Sequence, residues 1–341
     1  MKLIQTNSLE YEKLLLNISV GRISFLSFNE KKILINNLDS PSHLALLSIE
    51  DIEKIVGRQF SKRAQWNAKQ NLFSAKAVIE KCKALNIEII FYFDDLYPPL
   101  FKEIADPPFM IYARGETSLL MKTCVSVVGT RRLSQMGKKA AFSFSYDATL
   151  SGMCVVSGLA NGADGYAHEG SISAFFDCKQ KGLDLNRIGR TIAVLPSAID
   201  EIVPYGHKKL ACQVLQTGGL LISEYEPGCL TEKWHFVARN RIIAALSAAT
   251  VVIEAPSGSG ALITADFAVE YNRELFFHEV AFCEHALQIA QIVKSDLEKE
   301  AQKGKVSTYK LENQIKKFID DGALVIKNFE DFCEKILNPH K

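Results

Sequence analysis

The 341-residue sequence predicts an α/β fold: a doubly wound, mostly parallel sheet preceded by a small helical N-terminal domain. Three observations predict it. Between residues 123 and 277 six short runs rich in Val, Ile and Leu recur, apolar on both faces. Segments of helical length separate most of them, as in parallel sheets covered on both sides. Residues 1–86 instead carry apolar residues at helical spacing, and the chain is too long for one ordinary core.

In SPSHLALLSIEDIEKIVGRQF, Ser40-Pro41 is a helix start signal. From Arg58 to Lys83 there are seven Lys or Arg and a single acid, Glu80. This run is either a solvated helix face or an accessory contact for a polyanion. NIEIIFYF (86–93) turns to strand character, and YPPLFKEIADPPF is a proline-punctuated connector into MIYARG. TCVSVVG, MCVVSG, TIAVLP, GLLISEY, TVVIEAP and ELFF are then the strands of a Rossmann-like region, roughly residues 121–280. In the tail, 281–312 reads as a long helix. QIKKFIDDGALVIKNFEDFCEKIL reads helix, strand, helix, with Gly322 placed as a C-cap.

Hydrophobic residues at 48% and charged residues at 23% describe a globular chain and argue against disorder or a coiled coil. Lys plus Arg (40) against Asp plus Glu (39) leaves a net charge of +1, so any polyanion site is made locally. No apolar stretch reaches the roughly 18–20 residues of a membrane span. The charged start carries no secretory signal, and the eight cysteines are at least seventeen positions apart. These features predict a cytoplasmic protein with reduced thiols, no zinc site and no membrane association. The seven histidines (43, 168, 207, 235, 278, 285 and 340) show no metal spacing.

In open α/β sheets, ligands bind beyond the carboxyl ends of the strands. After the first of the six runs come Gly129, Thr130, Arg131, Arg132 and Ser134, then a helix beginning near Gly137. This is a plain strand-to-helix turn with surface arginines, or an anion cradle at a helix N-terminus. It is neither the dinucleotide fingerprint nor a Walker loop. After the second run, Ser157, Gly158, Asn161 and Gly162 form a small-residue loop, with Asp164 expected to cap it and His168 to pack. His207 and Lys208 follow the third run. Trp234, His235 and Phe236 precede Arg239, Asn240 and Arg241, a mixture of rings and cations suited to single-stranded nucleic acid or to plain packing with local ion pairs. The last loop is Ser257, Gly258, Ser259 and Gly260, and Thr264 follows in its helix. Three such loops at one sheet edge predict a concave phosphate-binding rim. No G-x-S-x-G elbow, H-E-x-x-H or D-x-D cluster accompanies it, so no enzyme activity is expected.

The segments YPPLFKEIADPPFMIYARG (97–115), VSVVGTRRLS (125–134), VVSGLANGADGYAHEGSISA (155–174), TIAVLPSAIDEIVPYGHKKL (191–210), GGLLISEYEPG (218–228), WHFVARNRIIAALS (234–247) and SGSGALITADFAVE (257–270) follow one another in a specific order. Together they cover about half the chain, and the sequence resembles the bacterial DNA-processing protein A family (DprA/Smf). The resemblance implies an extended Rossmann-like domain over 87–341 and a helical, SAM-like domain over 1–86. It implies no C-terminal winged-helix domain, since GALVIKNFEDFCEKIL (322–337) matches the usual end of the extended region.

It further implies a non-enzymatic single-stranded DNA-binding protein acting in natural transformation (competence), without a cofactor. Such a protein protects incoming DNA, helps load the recombinase RecA in DNA recombination, and self-associates as a homodimer. Arg131, the Ser157-Gly158 loop, Lys208 and Arg239–Arg241 would line the DNA pocket. The sequence departs from the family at Pro196, where a glycine is usual, in the longer connection 176–190, and after Phe277, where a Val-Pro-Gly turn is missing. The alternative is a Rossmann-like nucleoside-monophosphate phosphoribohydrolase. That class carries P-G-G-x-G-T-x-x-E, whereas Pro256 to Thr264 here has no glutamate in the matching helix turn.

Overall fold

The computed structural model describes residues 8–303, 307 and 309–337, arranged in two compact units. His340 of the histidine set lies outside the described residues, as do residues 304–306 and 308 of the 281–312 stretch.

The first unit comprises Met1–Tyr97 and Ala105–Ala113. Its helices are α1 (Ser8–Gly21), α2 (Phe28–Asn36), α3 (Pro41–Leu46), α4 (Ile49–Val56) and α5 (Ala68–Ala84). The stretch after Ser40 splits into α3 and α4 because Ser48 starts a new helix. Its hydroxyl accepts the Asp51 N–H at 3.2 Å, and Asp51 accepts the Ser48 N–H in return. Leu15, Ile18, Leu34, Leu44, Ile52 and Ile79 form the buried interior. β1 (Glu88–Phe91) pairs antiparallel with β2 (Met110–Gly115), with Ile90 opposite Ile111.

The second unit comprises Pro98–Ile104 and Arg114–Lys341. It alternates β3 (Cys124–Val128), α6 (Gln135–Leu150), β4 (Cys154–Ser157), α7 (Ala163–Gln180), β5 (Thr191–Val194), α8 (Lys208–Gln216), β6 (Leu220–Ser223), α9 (Lys233–Ala245) and β7 (Ala249–Val252). It continues through α10 (Gly260–Glu270), β8 (Glu274–His278), α11 (Glu284–Gln302), α12 (Tyr309–Glu312), α13 (Ile315–Asp320), β9 (Leu324–Ile326) and α14 (Phe329–Leu337). The strands lie in the order β6-β5-β4-β3-β7-β8-β9, all parallel. Strands β3 to β7 are buried along their whole length, which is why their sequences are apolar apart from one small hydroxyl residue in each.

The chain winds outward from β3 to β6 and returns through α9 to β7, beside β3. The loops after β3 and β7 therefore leave the sheet edge in opposite winding directions, which is the topological switch point of an open α/β sheet. The tail closes the far side. Phe332 of α14 packs edge-on against Phe144 and Phe276, with ring centroids 5.3 and 5.1 Å apart. Each such buried ring contributes about 1.5–3 kcal/mol. Where the Val-Pro-Gly turn is missing, His278 Nδ1 accepts the Val280 N–H at 3.2 Å and starts a short 3-10 turn into α11.

Candidate nucleic-acid interface

The loop after β3 is stitched to both neighbours. Thr130 donates its N–H to the Glu254 carbonyl at 2.7 Å and accepts the Ala163 N–H at 3.2 Å. A Cβ on Gly129 would meet the Ala163 Cβ at 2.7 Å, so only glycine lets the two loops touch. Ser134 caps α6, its hydroxyl accepting the Gly137 N–H at 2.9 Å. The anion cradle expected at this helix N-terminus is already filled. Glu254, 3% exposed, accepts the Ser134 N–H at 3.0 Å and the Ser134 hydroxyl proton. A side chain at Gly137 would collide with that carboxylate. The sequence signal for this acid was visible as the only charge in TVVIEAP, but nothing local indicates where it points.

The loop after β4 is held from beneath. The buried Ser157 hydroxyl donates to the Val127 carbonyl at 2.6 Å. Asp164 holds this loop as expected, accepting the Gly158 and Ala160 N–H groups at 3.1 and 3.3 Å. It is not the cap of α7: it lies in the first turn, and Gly162 stands at the N-cap without a side-chain bond. His207 Nδ1 lies 2.8 Å from the Leu159 carbonyl, which can only accept, so this nitrogen carries the proton. His168 packs, also as expected. The Thr191 hydroxyl donates to the Val155 carbonyl at 2.9 Å, so His168 Nδ1 donates to Thr191 at 2.6 Å. Burial lowers the His168 pKa to about 3 and holds the ring neutral.

Arg239, which the family resemblance placed in the lining of the DNA pocket, is an internal residue. Its side chain is 5% exposed, and Nη1 donates to the Gly158 carbonyl at 2.6 Å and to the Val194 carbonyl. Burial lowers its pKa to about 10, with the opposing charge of Asp164 holding it up, so it stays charged inside the protein. Burial also raises the Asp164 pKa. The physical reason for the correction is supply: two strand-end carbonyls need a donor, and the guanidinium has five. Asn240 is likewise internal, its amide donating to the Gly260 carbonyl at 3.1 Å. Arg241 pairs with Glu224.

The Ser257–Gly260 loop also differs from an open cradle. Ser257 is buried, the Ser259 hydroxyl accepts the Ala261 N–H at 3.3 Å, and Gly258 donates to the Asn313 carbonyl at 3.3 Å. A Cβ on Gly258 would meet Leu297 and Lys310 at 3.2 and 3.3 Å, so α11 and α12 roof this loop.

Solvent-facing at this edge are two cations seated on rings, with the exposed acids Glu201 and Glu232 on the loops after β5 and β6. Arg131 lies 5.8 Å from the Phe236 ring centroid and Lys208 lies 4.1 Å from that of Tyr205. Arg131, Arg132, Asn161, Lys208 and Lys209 are exposed. Trp234 is 57% exposed, with its Nε1 bound to Glu232 at 2.7 Å and its ring edge-on to His235. Tyr225 stacks beneath His235 at 3.8 Å, a support that the sequence pattern did not reveal. Among the described residues no cluster of three or more His, Cys, Asp or Glu could hold a metal, and no helix is long and apolar enough to cross a membrane.

Comparison with known proteins agrees with this architecture. The chain is 30% identical over 264 residues to Protein Smf of Borreliella burgdorferi, covering 77% of this chain and 79% of that protein. It is 37% identical over 181 residues to the DNA processing protein DprA of Bacillus subtilis, covering 53% and 56% of the two chains. DNA processing protein A from Streptococcus pneumoniae superimposes with a TM-score of 0.67 at 26% identity, over 94% of this chain and 97% of that one. For DNA processing protein A from Helicobacter pylori the TM-score is 0.50 at 26% identity, over 70% and 97%. Residues 88–336 match the model of the DNA recombination-mediator protein A family, and the chain belongs to that family, the DprA/Smf proteins.

Proposed function

We propose that this protein binds single-stranded DNA at the carboxyl edge of its parallel sheet, as a DNA-processing protein of natural transformation. The observation that carries the reading is the exposed set Arg131, Arg132 and Lys208. The loop of the two arginines is fixed by the Thr130 backbone bonds to Glu254 and Ala163, and Lys208 opens α8 beside His207, which is bound to the Leu159 carbonyl. Fixed cations and exposed rings suit a flexible polyanion with stackable bases. The relatives in Bacillus and Streptococcus are DNA processing proteins, and the Helicobacter structure is described for its single-stranded DNA binding mode.

In this reading Arg131, Arg132 and Lys208 take phosphates, and Trp234 and Asn161 meet bases or sugars. The segments Gly129–Thr130, Ser157–Gly158, His207, Arg239–Arg241 and Ser257–Gly260 shape the rim beneath them. The protein acts without catalytic turnover in the cytoplasm, as a homodimer that protects incoming strands and passes them to the recombinase RecA. Residues 1–86 form an accessory helical domain of the SAM type, and 87–341 the DNA-binding domain.

The test is fluorescence anisotropy with labelled single-stranded oligonucleotides across a salt series. Arg131→Ala and Lys208→Ala should each weaken binding regardless of sequence and flatten the log–log salt slope by about 0.7. Unchanged affinity in both variants would remove the rim from the site.

A further inference from the structure

A cavity lies wholly within the first unit, among the helices. It measures about 430 Å³, inside the roughly 300–1,000 Å³ range of small-ligand sites. One wall is the turn after α1, with Arg22, Ser24 and Phe25, and the other is Gln65, Trp66 and the first half of α5.

The α5 wall has an unusual composition. Asn67, the N-cap whose Oδ1 accepts the Gln70 N–H at 2.9 Å, and Gln70, Asn71 and Ser74 of the helix fall at i, i+3, i+4 and i+7, the spacing that an amphipathic helix normally gives to apolar residues. Further along, the helix buries the apolar stripe Ala75, Val78, Ile79 and Cys82. Asn71 lies in line with Ala75, Val78 and Cys82, so the amide positions continue the edge of the core-forming face into the cavity. Asn71 Oδ1 is buried without a hydrogen-bond partner, a cost of about 1–3 kcal/mol unless a donor arrives from outside the chain. Trp66 is held in place by its Nε1–H, which donates to the Leu47 carbonyl at 2.9 Å, so its ring is a preset surface.

Carboxamides with an empty acceptor, beside an anchored indole, recognise a flat ring with amino and carbonyl edges. A sugar would meet the same polar groups, but the charge around the cavity decides between them. Lys62 and Arg63, just before Gln65, and Lys69 and Lys76 on α5 are all exposed, in a run whose single acid is Glu80. We infer that this cavity is a second contact for single-stranded DNA. One nucleobase lies against Trp66 and the Gln70–Asn71 carboxamides, while Lys62, Arg63 and Lys69 follow the adjoining phosphates. The inference rests on the reading that the protein binds single-stranded DNA, but it places this contact outside the parallel-sheet rim.

The test uses the full chain and an oligonucleotide of about 30 nucleotides, within reach of more than one binding module, carrying photoreactive 5-iodouracil. Irradiation should yield a cross-linked peptide containing Trp66. The surface variant Lys62→Glu/Arg63→Glu should lose that cross-link. It should also weaken binding about fivefold and lower the salt slope by about 1.4, two phosphates' worth. Gln70→Leu, which leaves the surface charge intact, should lose the Trp66 cross-link as well.

Arg131→Ala should keep the Trp66 cross-link while weakening total affinity. Cross-links confined to residues of the rim, with normal binding by both first-unit variants, would overturn the inference and leave the rim reading standing. Loss of binding in no variant at all would instead count against both. A Trp66 cross-link obtained with RNA but not with DNA would overturn the choice of strand.

Discussion

Arg239 Nη1 lies 2.6 Å from the carbonyl oxygen of Gly158, and a methyl group added at Gly158 would fall 2.3 Å from the same nitrogen. The guanidinium thus fills the space a side chain would need, and the loop after β4 rests on a charge. Removing that charge leaves the Gly158 and Val194 carbonyls without their donor and Asp164 without its nearby cation. Arg239→Met is expected to lower stability by about 3 kcal/mol. Urea denaturation read by circular dichroism checks this; a loss below about 1 kcal/mol, the worth of an ordinary hydrogen bond, would show that the brace is dispensable.

Glu254 gives a second expectation. Its carboxylate takes the place at the α6 N-terminus where an external anion could otherwise bind. Glu254→Ala should cost about 2 kcal/mol through the lost charge-assisted bonds to Ser134. It should also create a weak sulfate site, seen as a rise in melting temperature with sulfate that the wild type does not share beyond general salt effects. Equal sulfate responses in the two proteins would contradict the occupancy argument.

Two glycines with positive φ separate strain from collision. Gly57 (φ +74°) caps α4 with nothing within 4 Å of a new Cβ, so Gly57→Ala should cost only the left-handed penalty of about 1–2 kcal/mol. Gly162 (φ +84°) would place its Cβ 2.3 Å from the Thr130 carbonyl, backbone that cannot step aside. Gly162→Ala should cost about 3 kcal/mol or more and weaken DNA binding too, because it forces apart the two loops that carry the rim. Parallel denaturation and anisotropy titrations of the two variants test the contrast.

His168 sets an acid sensitivity. Its pKa is lowered from 6.5 to about 3 in the folded state, so below pH 6.5 the unfolded chain takes up a proton that the folded chain refuses. The stabilisation is complete above pH 6.5 and declines as the pH falls towards 3, by about 1.4 kcal/mol per unit. Asp164, whose pKa burial raises, opposes this at the acid end. The difference in stability between pH 6.5 and pH 5 should shrink by about 2 kcal/mol in His168→Gln relative to wild type. Identical pH profiles would mean that the histidine is not the cause.

The order of strands and helices was legible in the sequence because strands buried on both faces are mostly apolar, with polar residues such as Ser157 and Thr191 hydrogen-bonded inside. TCVSVVG, MCVVSG and TIAVLP accordingly became β3, β4 and β5. The Ser134 cap and the loop tie at Asp164 were legible for a similar local reason: both act on N–H groups within six residues of themselves. The interior position of Arg239 and the closure of the α6 N-terminus by Glu254 were not. Their partners lie 81 and 120 residues away, and only the winding of the sheet brings them together. Local chemistry thus determined which segments form strands, helices and turns, while the tertiary structure decided which strands pair, which charges became internal supports and which remained at the surface. An arginine's sequence neighbours do not record how many carbonyls wait for it across the fold.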